Sequence, residues 1–351
     1  MEMQQIETPA LLVDLDTMEG NQRRMTELFA GKKVRVRPHF KNHRVLLLAE
    51  RQVAAGAIGI TCARLWEAER LVQRGIRSVL VANEIACEAV MLKFIALSRL
   101  APVIVAVDNA AMVRQMAGLA GEDRKLLNVV VDIDLGLQRC GVADEEAAVQ
   151  LAKIVVEQGL HFRGLMGYEG HLQSLVPGPE KEKTVKAALS KLVRAKEGIE
   201  GAGIPVEIVS CAGTGDCLVA SDYPGITEVQ PGSYLLMDSY YVPYAPDFQP
   251  SLTVLATVIS KTGDDRLVAD AGVKAISGEH GLPSVDGHDE LRINALHAEH
   301  APIQILDPSS TVKVGDKIHI RVHYQDGTVH LHQRMFGMRK SAVEKVFQIE
   351  H

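Results

Sequence analysis

Short apolar segments rich in β-branched residues recur along the chain, and each is followed by a longer amphipathic segment. Segments 64–74 and 144–158, for example, carry apolar residues at helical spacing with charged residues between them. Continuous apolar strands that alternate with amphipathic helices indicate βαβ units, in which a parallel sheet is buried on both faces. The candidate strands are residues 57–62, 78–82, 102–107, 128–134, 163–168 and 206–210.

About eight such units fit between residues 10 and 240, which predicts an α/β fold built as a closed (β/α)8 barrel of the TIM type. An open, doubly wound sheet is the alternative. The chain after residue 240 consists of strand-like runs separated by Gly, Asp and Pro turns, with three prolines within residues 243–250. We therefore predict a barrel over residues 10–244 and a C-terminal β-rich domain over residues 245–351, with which residues 1–9 associate.

The composition excludes some classes of partner. The 351 residues include 38 Lys and Arg against 44 Asp and Glu, a formal net charge of −6, whereas nucleic-acid-binding proteins carry a basic face or stripe. The five cysteines have no paired spacing, so neither a disulfide framework nor a structural zinc site is expected. We find no export signal at the start and no apolar run of roughly 20 residues, the length that spans a bilayer. We expect a cytoplasmic protein with a small-molecule substrate and no nucleic-acid or membrane partner.

The densest group of chemically active side chains is the sequence RPHFKNHR at residues 37–44. It follows a plausible strand at residues 34–36 and precedes a helical segment, so it falls where a barrel strand ends and barrel enzymes place their sites. Cationic neighbours such as Arg37 and Arg44 disfavour the ammonium form of Lys41, and its neutral amine can then attack a carbonyl. A solvated basic loop is the alternative.

This segment resembles the RPHxKTHK motif of the D-threonine aldolase and D-serine dehydratase group, which are pyridoxal 5′-phosphate enzymes with an alanine-racemase-like fold (fold type III). The resemblance continues in order through ETPALLVDLD, GAIGITCARLWEAERL, VLVANE, DIDLGLQRCGV, GYEGH, GTGD, QPGSYLLMD and DAGVKAISGEHG. It implies that Lys41 is the residue that links covalently to the cofactor. His39 lies beside it as a further catalytic candidate.

Later motifs supply the other expected cofactor contacts. The sequence CAGTGD at residues 211–216 follows an apolar strand, and such a turn can direct backbone N–H groups at a phosphate, although an ordinary tight turn is the alternative. The resemblance places the cofactor phosphate there, and it places Arg139, expected at a strand end, near the phenolic oxygen of the pyridoxal ring. A surface arginine paired with an acid is the alternative for Arg139. The cofactor-binding residues predicted in this way are Lys41, Arg139, Tyr168, His171, Gly213, Thr214, Gly215, Gly232, Ser233 and Tyr234.

The resemblance is incomplete at the metal site of the family. Members with aldolase or dehydratase activity carry a His-x-Cys or His-x-Asp pair, whereas this chain has Tyr324 at the first position and Asp326 at the second. Alternate residues share a face in a strand, so His323 reaches the face of Asp326 only at a bulge. Three alternatives remain: a divalent metal (Mn, Mg or Zn) is held by Asp326 and His323, a weaker one is held by Asp326 with other oxygen ligands, or no metal is bound and His323 is a satisfied polar residue. Glu279 and His280 match the family motif and are predicted to act in acid/base chemistry or substrate contact.

The resemblance implies a lyase that acts on a D-β-hydroxy-α-amino acid, with retro-aldol cleavage to glycine and an aldehyde. Dehydration of the D-serine dehydratase type is the alternative, as is racemisation if the metal site is absent. A non-catalytic pyridoxal phosphate carrier is less favoured, because such proteins end after the barrel. In this fold type the extra domain helps form the active site of a partner subunit, which implies a homodimer.

Overall fold

A computed structural model describes residues 2–351. These residues form two compact units, each of which is described by itself. The barrel unit consists of residues 26–41 and 46–232. The β-rich unit consists of residues 2–25, 42–45 and 233–351.

Strands and helices are numbered along the chain. The strands of the described residues are β1 (Ala10–Asp14), β2 (Arg35–Val36), β3 (Ile60–Cys62), β4 (Val79–Glu84), β5 (Ile104–Val107), β6 (Asn128–Ile133), β7 (His161–Gly167), β8 (Ile208–Cys211), β9 (Glu228–Val229), β10 (Leu252–Lys261), β11 (Arg266–Ala269), β12 (Ser284–Val285), β13 (Leu291–Ile293), β14 (Ala301–Ile305), β15 (Lys317–Arg321), β16 (Arg334–Arg339) and β17 (Ala342–Gln348). The α-helices of the same residues are α1 (Leu15–Leu28), α2 (Leu46–Ala54), α3 (Leu65–Gln73), α4 (Glu88–Ser98), α5 (Ala110–Ala120), α6 (Glu145–Glu157), α7 (Pro179–Gly201), α8 (Cys217–Ser221) and α9 (Gln325–His330).

The sheet of the barrel unit is parallel and has eight strands in the order β2-β9-β8-β7-β6-β5-β4-β3. Its two edge strands also meet. The Ile58 N–H donates to the Val36 carbonyl over 3.0 Å, and the Thr61 N–H donates to the Pro38 carbonyl over 2.8 Å. These bonds close the sheet on itself, so the predicted (β/α)8 barrel is confirmed and the open sheet is not formed.

Apolar side chains from five consecutive barrel strands, β4 to β8, form a buried layer. Fully burying an aliphatic side chain of this kind contributes about 1.5–3 kcal/mol, which makes this layer a main source of barrel stability. Every residue of β6 is buried, as expected for a strand covered on both faces. The buried layer comprises Leu80, Ile104, Ala106, Val130, Met166 and Ile208.

The helices outside the barrel carry the start signals that their sequences predict. Helix α6 begins after Asp144, whose carboxylate accepts the Ala147 N–H over 2.9 Å, an N-cap of the kind that typically contributes about 1 kcal/mol. Its buried residues Leu151 and Val155 are four positions apart, so one apolar face is buried and the charged face is exposed. None of the helices in residues 2–351 combines the length and the apolarity needed to cross a membrane.

The β-rich unit contains a sheet with the order β13-β14-β11-β10-β1-β16-β17, to which β15 and β12 add through β10. Strand β1 pairs antiparallel with β10 and parallel with β16. Segment 10–14 therefore lies in this sheet and outside the barrel. The barrel unit therefore does not begin at residue 10 as predicted, because an apolar run such as that of β1, which is polar only at Asp14, suits a buried strand of either sheet. Residues 2–9 lie in the β-rich unit, and residue 1 is outside the described residues.

Candidate active site

Lys41 lies in a single 3-10 turn, Phe40–Asn42, that follows the short strand β2. The side chain of Phe40 is fully buried and fixes this turn, whereas Lys41 is exposed. The backbone N–H of Lys41 donates to His39 Nδ1 over 3.3 Å, and the His39 N–H donates to the Pro231 carbonyl over 3.1 Å. The amine therefore stands at the carboxyl end of a barrel strand on an anchored turn, the position that the sequence predicts for it.

The cationic neighbours expected around Lys41 are engaged elsewhere. Arg37 is buried and forms a two-pronged ion pair with Glu228 of β9, with both N–O distances at 2.8 Å. In the β-rich unit, the Nδ1 atom of His43 accepts the Val45 N–H, and Arg44 contacts His330 Nδ1 over 2.6 Å. The expectation that these residues act together on Lys41 is therefore wrong for Arg37, whose charge is neutralised by its own carboxylate.

Arg139 and Tyr168 are in contact in the barrel unit. The guanidinium carbon of Arg139 lies 5.6 Å from the centre of the Tyr168 ring, within the range of a cation–π interaction. Strand β6 ends at Ile133, so the prediction that Arg139 ends a strand is wrong, and it lies in the loop that follows. The Asp134 carboxylate holds this loop by accepting the N–H groups of Gly136 and Gln138.

His171 occupies the 3-10 turn Gly170–Leu172, next to the same loop. A Cβ atom on Gly136 would lie 3.3 Å from His171 Cε1, so the imidazole packs directly against the loop that carries Arg139. Tyr168, His171 and Arg139 are thus brought together, as the resemblance implies.

A group of acids at the ends of neighbouring barrel strands was not anticipated from the sequence. Burial, followed by the negative charge of Glu84, raises the pKa of the Asp132 carboxyl well above its ordinary value. Desolvation, followed by the charge of Glu84, also raises the pKa of the Cys140 thiol to about 11. The Arg139 cation opposes both shifts and is therefore placed among acids. The sequence does carry one sign of this group of acids: Asp132 and Asp134 come at the end of an apolar run.

Residues 211–216 follow β8 and are held by three side chains, which we call the loop anchor: Glu169, Gln173 and Asp216. Glu169 accepts the Ala212 N–H over 3.3 Å, Asp216 accepts the Gly213 N–H over 2.9 Å, and Gln173 accepts the Gly215 N–H over 3.0 Å. A Cβ atom on Gly213 would lie 2.7 Å from Gln173 Oε1, and one on Gly215 would lie 2.8 Å from the Gln173 carbonyl oxygen. Both glycines are thus required by the packing of Gln173. None of the three anchor residues was predicted from the sequence.

The barrel unit offers groups that fit pyridoxal phosphate. Lys41 supplies an exposed primary amine, Arg139 supplies a cation beside the Tyr168 ring, and Thr214 supplies a hydroxyl in the turn after β8. Gly213 and Gly215 keep the backbone of that turn free of side chains, as a close approach to a phosphate requires. We conclude that the residues present fit such a cofactor.

The three remaining predicted pocket residues have different surroundings. Gly232 ends the barrel unit. In the β-rich unit, Ser233 Oγ lies 3.2 Å from Asn42 Nδ2, and the buried ring of Tyr234 lies 5.6 Å from that of Phe248. Tyr234 therefore has a packing role in that unit.

The β-rich unit gathers an aromatic cluster formed by Tyr240, Tyr241, His280, His323 and Tyr324. The His280 ring stacks on Tyr240, with 4.3 Å between ring centres and 17° between planes. It also meets the Tyr324 ring edge-on at 4.6 Å. His280 remains partly exposed, and Glu279 Oε1 lies 3.7 Å from its Nε2 atom. The predicted acid/base candidate is thus fixed in place and accessible.

The predicted metal position has different geometry from the one expected. Residues Gln325–His330 form helix α9, so the expectation of a strand at this point is wrong. His323 Nε2 lies 3.2 Å from the His280 carbonyl oxygen, and Asp326 accepts a hydrogen bond from the Asn42 amide. Burial, followed by the charge of Asp326, raises the pKa of Tyr324, so its hydroxyl stays neutral and is a poor ligand.

No group of three or more His, Cys, Asp or Glu residues within residues 2–351 is arranged to hold a metal ion. The side chains around Asp326 therefore do not fit a divalent cation of the family type. The incorrect expectation of a strand came from the resemblance of TVHLH, residues 328–332, to a strand of the family.

Comparison with known families supports the pattern of motifs. The family model described as the alanine racemase N-terminal domain matches residues 13–240, and the model of the serine dehydratase domain matches residues 251–338.

Two curated relatives extend over nearly the full chain. A D-threonine aldolase of an Arthrobacter species is 31% identical over 349 residues, which are 98% of this chain and 92% of the relative. A 3-hydroxy-D-aspartate aldolase of Paracoccus denitrificans is 31% identical and covers 99% of this chain and 93% of its own. The solved structure of a D-threonine aldolase from Filomicrobium marinum matches 99% of this chain and 96% of its own, with a TM-score of 0.94 at 30% identity. These relatives confirm the family resemblance drawn from the motifs. They also confirm the predicted class of enzyme, an aldolase-type lyase.

Proposed function

The chain belongs to the alanine racemase N-terminal domain family, and from this premise we propose that it is a pyridoxal 5′-phosphate-dependent lyase that cleaves a D-β-hydroxy-α-amino acid to glycine and an aldehyde. The observation that carries this proposal is the match of nearly the whole chain to a D-threonine aldolase structure, with Lys41 exposed at a barrel strand end.

The chain's own residues divide the work as follows. When bound, pyridoxal phosphate withdraws electrons from the substrate α-carbon. Lys41 holds the cofactor through its amine, and Arg139 places a fixed positive charge beside the ring of Tyr168. The turn of residues 212–215 binds the phosphate. Retro-aldol cleavage requires a base that accepts the β-hydroxyl proton as the Cα–Cβ bond breaks, and we assign this proton transfer to His280.

We derive no step through a metal, because the side chains around Asp326 do not fit one. The second candidate function is β-elimination of the serine dehydratase type, which the matching domain model at residues 251–338 favours. In that reaction the α-proton and the β-hydroxide leave, and the product hydrolyses to a keto acid and ammonia.

We also propose that the protein is a homodimer in the cytoplasm, with the β-rich unit of one subunit helping to form the active site of the other. Mixing inactive Lys41→Ala and His280→Ala proteins tests this arrangement. Shared sites restore one active site per mixed dimer, or about a quarter of wild-type activity in a random mixture. Sites built within one subunit restore none.

A panel of D-configured amino acids assayed with purified protein tests the reaction. Aldolase activity releases glycine and an aldehyde from D-threonine or D-β-hydroxyaspartate, dehydratase activity releases a keto acid and ammonia, and racemase activity releases the L-enantiomer. Each assay is run with and without a chelator. The Lys41→Ala protein serves as the control for contaminating activity. The absence of all three products from the full panel contradicts the proposal.

A further inference from the structure

Two carboxyl groups of the loop anchor, those of Glu169 and Asp216, lie within hydrogen-bonding reach of each other in the barrel unit. Their side chains are almost wholly buried, with residue exposures of 0% and 1%. One oxygen of each accepts a backbone N–H of the 212–215 segment. The other oxygens, Glu169 Oε1 and Asp216 Oδ2, make no hydrogen bond of ordinary geometry within residues 2–351. A single proton between the two carboxyl groups gives both of these oxygens a partner.

The surroundings do not supply enough positive charge for two carboxylates. The Lys181 cation acts on Asp216, but its Nζ donates to the carbonyl oxygens of Gln173 and Leu175 over 3.3 and 2.8 Å. Desolvation lowers the pKa of Lys181, which Asp216 partly offsets. The other titratable neighbours are the thiols of Cys211 on β8 and Cys217 on α8, with Glu228 on β9 acting on Cys211.

Two buried carboxyl groups within hydrogen-bonding reach of each other do not both ionise. Burial, followed by the charge of Asp216, raises the pKa of Glu169 well above its ordinary value. Burial likewise raises the pKa of Asp216, and the neutral amide of Gln173 offsets only part of that rise. The Cys211 thiol is kept neutral by the same burial, which raises its pKa.

We propose that Glu169 and Asp216 hold one proton between them, and that this proton keeps the 212–215 segment able to accept the phosphate of the cofactor. With the proton present the pair carries one negative charge, and without it the pair carries two. The second charge repels a phosphate dianion bound at the same backbone segment. Glu169 and Asp216 are then positioning residues. This role rests on the proposed function, because it requires that a phosphorylated cofactor bind here.

The first experiment detects the proton. Infrared difference spectra of the full-length protein, wild type minus Glu169→Gln and wild type minus Asp216→Asn, are recorded as a function of pH. We expect the C=O band of one protonated carboxyl in both differences, and its loss as the pH is raised. The control is Glu207→Gln, which removes an exposed carboxylate just before β8 that pairs with Arg163. This variant should keep the carboxyl band, so the band should be absent from the wild type minus Glu207→Gln difference.

The second experiment measures what the proton does. Dissociation constants for pyridoxal phosphate and for pyridoxal are measured over the same pH range, and their ratio isolates the contribution of the phosphate because both present the same aldehyde to Lys41. We expect the preference for pyridoxal phosphate to fall about tenfold in the wild type as the band is lost. In Glu169→Gln and Asp216→Asn, where one carboxylate remains and no shared proton can be lost, the preference stays constant within about twofold.

The outcomes separate the two proposals. A wild-type protein that binds neither compound overturns the proposed function and this role with it. A protein that binds both compounds but shows no carboxyl band, a band that does not titrate, or the same pH dependence in wild type and variants overturns the role of the pair alone. If one variant fails to fold, the other carries the comparison. Calorimetry of the wild type in two buffers of different protonation enthalpy counts the protons taken up on binding. At a pH above the titration of the pair, the protein should take up one proton when it binds pyridoxal phosphate and none when it binds pyridoxal.

Discussion

The loop anchor of the barrel unit and the aromatic cluster of the β-rich unit hold their functional groups by different means. The loop anchor uses directional hydrogen bonds from backbone N–H groups to three buried side chains. The aromatic cluster uses ring contacts between residues such as Tyr240 and Tyr324, which are far apart in the chain. A hydrogen-bonded turn requires particular residues at fixed spacing and so leaves a motif in its own segment, here CAGTGD at residues 211–216, whereas the distant side chains that anchor it and the contacts between distant rings leave none. Function can therefore be inferred from sequence more readily in the barrel unit.

Removal of the reactive amine in the barrel unit is expected to have the largest effect. Lys41→Ala should lower turnover by about 10⁴-fold or more, because no other group can replace a covalent attachment. Borohydride reduction of the wild type, followed by peptide mapping, should place the cofactor on the peptide that contains Lys41. The control is Lys33→Ala, an exposed lysine just before β2, which should keep full turnover. Labelling of another lysine shows that the assignment is wrong.

The buried ion pair of the barrel unit should give the next largest effect, on stability. Glu228→Ala leaves the Arg37 charge buried without its partner, and such losses cost about 3–5 kcal/mol in the free energy of unfolding. Glu207→Ala removes an exposed partner of Arg163 and should cost less than about 1 kcal/mol. Urea unfolding of both variants checks the difference. Equal losses would mean that Arg37 finds another partner or that water reaches it.

Strands of the barrel could be located from the sequence, because continuous apolar runs bounded by helices have few alternative interpretations. Strands β3 to β8 fall within the predicted segments or within a few residues of them. Strand β1 was placed in the wrong sheet, because its apolar residues suit any buried strand and its partners β10 and β16 lie more than two hundred residues away in the chain. Segment 325–330 was expected as part of a strand because of its resemblance to the family, whereas it forms the short helix α9.

The residues of the candidate site likewise divide into those that a local motif indicates and those that depend on distant packing. Lys41, Arg139, Tyr168 and His171 could be proposed from the sequence because each lies in a motif at or after a predicted strand end. Glu169 was missed, although it lies between two predicted residues, because a lone glutamate in a loop normally faces solvent. Only the structure shows its full burial and its hydrogen bond to the Ala212 N–H. Burial of a charged side chain depends on long-range packing, which local sequence does not specify.

Restoring the family's metal ligand in the β-rich unit tests whether the aromatic cluster has replaced a metal site. Tyr324→His places an imidazole two residues from Asp326, and we expect the affinity for Mn²⁺ to rise about 100-fold relative to wild type. Calorimetric titration measures this affinity. Tyr223→His, in the barrel unit, is the control and should bind no more Mn²⁺ than wild type does. Wild-type activity should change less than about twofold after exhaustive chelation, and a complete loss would show that the wild type depends on a bound metal.

The smallest expected effect concerns the acids at the barrel strand ends, and it tests whether they act as a group. The pKa of Cys140 is raised to about 11, so at about pH 8 only about one thiol in a thousand is ionised and alkylation by iodoacetamide is slow. Glu84→Gln removes the charge and the hydrogen bond that contribute to this shift. The pKa of Cys140 should then fall by about one unit and the alkylation rate should rise about tenfold, as measured by peptide mass spectrometry. Glu88→Gln, an exposed residue at the start of α4 on the same chain segment, should leave the rate unchanged. Equal rates in wild type and Glu84→Gln would mean that desolvation alone sets the reactivity of Cys140, and that the Arg139 cation is balanced by Asp132 without help from Glu84.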